Sequence, residues 1–331
     1  KLKRQKMKTI EKDILRGGQF LVKESKCEDV FTPEDFSEEQ IMMRDAVKEF
    51  NDREIVAHRE RFEAKDYKLT EEVMKKAGEL GFLGVAVPEE YGGMGMGFVS
   101  TMITCEYISS GNGSLSTAFG AHTGIGTMPI TLYGTDAQKQ KYVPKLASGE
   151  WMGAYCLTEP GAGSDANSGK TTTTLSADGK HFSITGQKMW ITNAGFANFM
   201  TVFAKIDDDK NLSAFLVEAD TPGISLNPEE KKMGIKGSST RQVFFNDVKV
   251  PVENLLSERG NGFKIAINIL NIGRIKLAAG VLGGSKATIS ETVKYANERE
   301  QFGRPISKYG AIKYKLSEQA IRTFALESAS Y

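Results

Sequence analysis

From about Trp151 to Val252 the chain abandons helical spacing and sets one β-prone stretch after another. The run KTTTTLSADGKHFSITGQKMWIT is rich in Thr, Ile and aromatic residues, with Asp178-Gly179 placed as a tight hairpin turn. FMTVFAKI, SAFLVEA and QVFFNDVKV continue the theme. Both flanks are helical instead. From Phe36 to about Gly149, Ser37-Glu-Glu-Gln40 has the spacing of a capping box, with Phe36 and Ile41 placed as a hydrophobic staple. Thr135-Asp-Ala-Gln138 repeats the box ahead of KQKYVPKL. Beyond SERGNGF, one long helix is expected from Gly262 to Asn297 and a second from about Gly310. Strands gathered between helical regions argue for a segregated α+β chain rather than alternating βαβ units, so a Rossmann domain is not expected. The loop VPEEYGGMGMGF (Val87 to Phe98) matches GxGxxG in no register and reads as a turn between helices. The expected division is an N-terminal extension (1–35), a helical domain (36–150), a central β-domain (151–256) and the first part of a C-terminal helical domain (257–331).

Length and charge narrow the partners. A chain of 331 residues suggests about two domains and is long enough to bury a sizeable core. Its 43 basic and 42 acidic residues leave a net charge of +1, so no global field favours nucleic acid or an anionic membrane. No apolar run nears the roughly 20 residues that span a bilayer, and no transmembrane segment is expected. Cys27, Cys105 and Cys156 form no CxxC, which points away from a disulfide framework or zinc site and fits a reducing compartment. His58, His122 and His181 are scattered and read as packing or surface residues. The basic opening lacks the apolar core of a secretory signal, Met7 is a candidate start, and Glu11 and Asp13 argue against a mitochondrial transit peptide. At the other end YKLSEQAIRTFALESASY still shows helical spacing, without a closing glycine, proline or polar tail; a chain cut within a domain is expected.

Two segments do not read as packing material: YCLTEPGAGSD (Tyr155 to Asp165) and GQKMWITNAG (Gly186 to Gly195). Alone, Pro160-Gly-Ala-Gly163 is a tight turn. Its neighbours shift the reading. Small residues let backbone N–H groups approach a polyanion, and Ser164 adds a hydroxyl donor. Thr158 and Thr192 offer hydroxyls to a heterocycle, and Trp190 offers a broad apolar face. A planar, polar-edged, phosphate-bearing cofactor uses all of these, and composition does not say which cofactor.

With RQVFFNDVKVP and ANEREQFGRPI in the same order, these segments resemble the acyl-CoA dehydrogenase family over nearly the whole chain. FGAHTGIG, EKKMGIKGSST, NILNIGRIKLAAG and KYGAIK make it most similar to the long- and very-long-chain type. The resemblance implies an N-terminal helical domain, a central β-barrel or sandwich domain and a C-terminal helical bundle, with FAD between the last two, in a homodimer or homotetramer. It implies that Tyr155, Leu157 and Thr158 line the flavin, that Gly163 and Ser164 lie near the pyrophosphate, and that Ser164 also meets the pantetheine arm. Trp190, Ile191 and Thr192 would cover and hydrogen-bond the ring; Arg299, Gln301 and Phe302 would reach the FAD of a neighbouring subunit; Asn271 and Arg274 would bind the CoA moiety.

The implied reaction is α,β-dehydrogenation of a long-chain fatty acyl-CoA to the trans-2-enoyl-CoA in fatty acid β-oxidation, with electrons passed to an electron-transfer flavoprotein. A carboxylate removes the α-proton, helped by hydrogen bonds that stabilise the enolate-like transition state. Here the chain departs from the family pattern. One branch carries the base just before the arginine matching Arg274, a position held by Gly273; in the very-long-chain type the base is expected beyond Tyr331. Gly310 stands where medium-chain relatives often carry Gln, and Glu159 and Glu106 are expected to be structural. A bacterial cytoplasm is the expected setting, with the mitochondrial matrix as the alternative. Two other functions compete with this one: a non-catalytic acyl-CoA-binding or assembly protein, and a flavin oxidase or monooxygenase on the same scaffold.

Overall fold

The computed structural model describes Leu15, Gln19 and residues 22–331; the basic opening with Met7, Glu11 and Asp13 lies outside them. Helices come first: α1 (Glu38–Phe50), α2 (Arg59–Glu63), α3 (Tyr67–Glu79), α4 (Phe98–Gly111), α5 (Gly113–Ala121), α6 (Met128–Tyr133) and α7 (Asp136–Ala147). Both capping boxes form. Gln40 N donates to Ser37 Oγ at 3.2 Å and Ser37 N to Gln40 Oε1 at 2.9 Å, and the Thr135–Gln138 pair repeats this at 3.3 and 3.0 Å. Of the expected staple, Ile41 is exposed, and Phe36 sets its ring 5.1 Å from that of Tyr331 at the far end of the chain. Single π-helical turns follow α1 (Asn51–Ile55) and α5 (His122–Gly126).

Next come β1 (Gly153–Cys156), β2 (Thr172–Leu175), β3 (His181–Thr192), β4 (Phe199–Ile206), β5 (Ser213–Glu218), β6 (Ile224–Leu226), β7 (Thr240–Pro251) and β8 (Leu255–Leu256). They make two half-sheets, β6-β7-β3-β2 and β1-β4-β5-β8, joined where β2 runs parallel to β4. Alternation along β4 explains the layering. Met200, Val202, Ala204 and Ile206 join Ile184, Phe215, Val243 and Val248 in one apolar cluster shared by the half-sheets. Phe199 and Phe203 point the other way and pack with Tyr142 and Leu146 of α7.

The chain closes with α8 (Gly262–Glu298), a short hairpin of β9 (Glu300–Gln301) and β10 (Arg304–Pro305), and α9 (Gly310–Ser330). The expectation that no apolar stretch nears a membrane span fails at α8, which is long and apolar enough, by length and composition, to cross one. Its apolar residues serve two cores at once. Ile265, Ala266 and Ile269 pack with the β-domain and α7, and Ala279 packs with α1, α3 and α4. Other apolar residues of the same helix, Ile275, Leu277, Val281 and Val293, are exposed. Where α4 and α8 cross they nearly touch: a Cβ on Gly283 would lie 1.9 Å from the Glu106 carbonyl oxygen.

Candidate functional site

β1 ends at Cys156 and the chain leaves it as an open loop. Glu159 and Ala162 exchange backbone hydrogen bonds of 3.1 Å each, which pinches Pro160 and Gly161 into an exposed turn. Met189 N donates to Thr158 O at 2.8 Å and ties the loop to β3. Behind it Lys188 is fully enclosed: its Nζ donates to Glu159 Oε1 at 2.6 Å and to Leu157 O at 3.3 Å. The Glu159 carboxylate also accepts from Lys170 N at 2.6 Å and Thr171 N at 3.1 Å. Burial pushes this carboxyl up, but the Lys188 ammonium and the N–H donors outweigh it and hold it below the ordinary carboxylate value.

Two residues on, the β3–β7 ladder slips between Lys188 and Ile191. Trp190 sits in that slip at φ +59°, and Asn193 follows at +67°. A bulky residue in the left-handed region costs about 1–3 kcal/mol and persists only where its surroundings hold it. The slip also turns the side chain outward, and the indole is 61% exposed. Ile191 is buried, and Thr158 and Thr192 are half-buried. Gly163 and Ser164 are exposed, and a Cβ on Gly161 or Gly163 would meet nothing within 4 Å among the described residues. Tyr155 packs its ring 4.8 Å from Phe203, and its buried hydroxyl has no hydrogen-bond partner among the described residues. The result is an open ledge of bare backbone and half-covered hydroxyls beside an outward indole.

The other expected residues lie on and beyond α8. Arg274 Nη1 donates to Asn271 Oδ1 at 2.6 Å, both exposed, and a Cβ on Gly273 would lie 3.9 Å from Ile125. Arg299 follows the last residue of α8, roughly 36 Å along the helix from Arg274 at 1.5 Å per residue. Gln301 and Phe302 belong to the β9–β10 hairpin, where Phe302 takes φ +53° and is 94% exposed. Its ring stands edge-on to Tyr309, whose hydroxyl donates to Gln301 O at 2.8 Å.

Glu106, like Glu159, is committed elsewhere. It is buried and accepts from Lys286 Nζ at 2.8 Å and from the Tyr331 hydroxyl at 2.6 Å, joining α4, α8 and the end of α9. Two supporting residues were not singled out for the site from sequence. Lys188 was legible in principle, since Phe182, Ile184, Gly186 and Lys188 share one face of an alternating strand and place a charge inward. His122 joins the helical domain to β1: its Nε2 lies 2.9 Å from Leu146 O, and Gly153 N donates to its Nδ1 at 3.0 Å. These partners select the neutral Nε2–H tautomer, and burial pushes the imidazole down to about 4.

Family models described as the acyl-CoA dehydrogenase N-terminal, middle and C-terminal domains match residues 37–150, 154–248 and 260–331. A probable acyl-CoA dehydrogenase of Bacillus subtilis is 47% identical over 319 residues, covering 96% of this chain and 53% of its own length. The mitochondrial very long-chain specific acyl-CoA dehydrogenase of Rattus norvegicus is 43% identical over 272 residues, covering 80% of this chain and 42% of its own length. A crystal structure of an acyl-CoA dehydrogenase complexed with FAD from Bacillus anthracis superposes with a TM-score of 0.93 at 48% identity, over 96% of this chain and 54% of that one. The chain thus spans about half the length of these relatives.

Proposed function

The chain belongs to the acyl-CoA dehydrogenase family, and we propose that it binds FAD and serves the α,β-dehydrogenation of long-chain fatty acyl-CoA to trans-2-enoyl-CoA. One observation carries the reading: an indole held outward at φ +59°, beside a glycine loop with open space around it. The residues present fit the cofactor. The partnerless Tyr155 hydroxyl and the half-buried Thr158 and Thr192 supply hydrogen-bonding groups that protein atoms leave unused or half-covered. FAD, when bound, supplies the acceptor for the substrate's β-hydrogen.

The chain's own residues do the rest. Tyr155, Leu157 and Ile191 would wall the ring pocket, Trp190 would cover its face, and Thr158 and Thr192 would donate to its polar edge. Gly163 and Ser164 would bring backbone N–H groups and a hydroxyl to the pyrophosphate, with Ser164 also meeting the pantetheine arm. Asn271 and Arg274, already paired, would hold the CoA part. Covering the ring excludes water and strengthens every hydrogen bond aimed at the thioester carbonyl. We assign the base to none of the described residues: Glu106 and Glu159 are spoken for, and Gly273 has no side chain. Arg299, Gln301 and Phe302 would complete the FAD site of a second copy, in a homodimer or homotetramer. An electron-transfer flavoprotein would take the electrons. Relatives from bacteria support a cytoplasmic setting.

The test is the visible spectrum of a protein of these 331 residues, with FAD, before and after anaerobic palmitoyl-CoA. A flavin band that shifts without bleaching is expected. Bleaching would overturn the assignment of Glu106 and Glu159 to structure, and failure to take up FAD would overturn the reading itself.

A further inference from the structure

We propose that the buried Lys188–Glu159 pair is the positioning element of the cofactor ledge: it holds the 157–164 loop and β3 in the one arrangement that turns Trp190 outward. The inference rests on the FAD reading above and adds a role for two residues that would not touch the cofactor.

Four strands of observation converge on the pair. First, it is a junction. Lys188 Nζ reaches Leu157 O at the exit of β1, and Glu159 accepts from Lys170 and Thr171 at the entry to β2, so one ion pair joins β1, the loop, β2 and β3. Second, it sits at the point of strain. Lys188 is the last residue in register with β7 before the slip that contains Trp190. A residue in a sparsely populated conformation stays there only while its neighbours over-determine it.

Third, the surroundings leave the pair no slack. A Cβ on Gly169 would lie 2.8 Å from Glu159 Oε1, and one on Gly186 would lie 2.6 Å from Thr171 Oγ1. The loop and β2 therefore cannot slide over β3 while the pair holds. Fourth, stability alone does not call for two charges here. Replacing a buried ion pair by apolar residues of similar volume is often neutral or stabilising, because the desolvation penalty offsets the attraction. What an apolar pair cannot reproduce is direction: three backbone groups drawn to fixed points by one ammonium and one carboxylate.

The experiment uses the full chain carrying Trp151→Phe. The chain has two tryptophans, so Trp190 becomes the sole indole reporter. FAD is titrated against its fluorescence, with far-ultraviolet circular dichroism as the check on folding. In the double variant Lys188→Met/Glu159→Leu, FAD affinity is expected to fall at least tenfold with the dichroism unchanged. Emission of the FAD-free protein is expected to move to shorter wavelength as the indole turns inward. Should the double variant not fold, Glu159→Gln keeps the side chain's shape and weakens the same clamp, and at least a threefold loss with the same spectral direction is expected. A folded variant that binds FAD within twofold of its parent, with unmoved emission, would overturn the proposal. A Trp151→Phe parent whose emission FAD does not quench would instead overturn the FAD reading and take this inference with it.

Discussion

At His122, two backbone groups from different parts of the chain share one imidazole, and both bonds require the neutral ring. This gives the fold a pH dependence whose sign follows from linkage. The folded ring titrates at about 4 and an unfolded one near 6.5, so between these values the unfolded chain binds the extra proton. The stabilisation is fully present above pH 6.5 and is lost as pH falls toward 4. Between pH 7.5 and 4.5 the loss from this one group comes to about 2.5 kcal/mol. Urea unfolding at the two pH values is the measurement: His122→Gln, which does not titrate there, should lose about that much less than the parent. His122 was read from sequence only as a packing or surface residue, because its partners lie 24 and 31 positions away and no local pattern announces them. Thr158, Ser164 and Thr192 were singled out for the opposite reason, since bare backbone and hydroxyls beside a tryptophan make a local pattern, and the FAD titration is what tests the role proposed for them.

Among the elements, the crossing of α4 and α8 makes the sharpest prediction, because two adjacent glycines there behave oppositely. A methyl on Gly283 would run into the Glu106 carbonyl, whereas one on Gly284 would meet nothing within 4 Å among the described residues. Gly283→Ala should push the helices apart and cost about 3 kcal/mol. Gly284→Ala should stabilise by up to about 1 kcal/mol through helix propensity alone. Chemical denaturation of the two variants side by side checks both signs. Helix ends set by neighbouring residues were readable from sequence: both capping boxes formed, and the long helix begins at Gly262 as expected and runs one residue past Asn297. Elements set by distant contacts were not. The π-turn at His122–Gly126 and the slip before Ile191 depend on β1, α8 and β7 arriving beside them. A plain period of two puts Trp190 on the inward face with Lys188, and only the slip reverses it.

At the scale of the whole molecule, ligand binding and stability are one quantity. FAD at 100 times its dissociation constant should raise unfolding stability by about 2.7 kcal/mol, so the melting temperature should climb with FAD concentration. Trp190→Gly should separate the two contributions. Glycine adopts positive φ freely, so the FAD-free variant should gain about 1 kcal/mol over the parent while most of the FAD-dependent rise disappears. Thermal scans of both proteins across an FAD series measure this directly. A last consequence lies in Gln138, the capping-box residue of α7. Its Nε2 also donates to Glu253 O at 2.7 Å and to Leu255 O, a partner 117 positions further on, at 3.0 Å. A ribosome adding about 5–20 residues per second needs roughly 6–23 s to travel that stretch. Through that interval a nascent chain has α7 in hand but not the carbonyls that hold its first turn, so the Gln138 amide must wait for partners that only the end of the β-domain supplies, after β4 has already brought Phe199 to Tyr142.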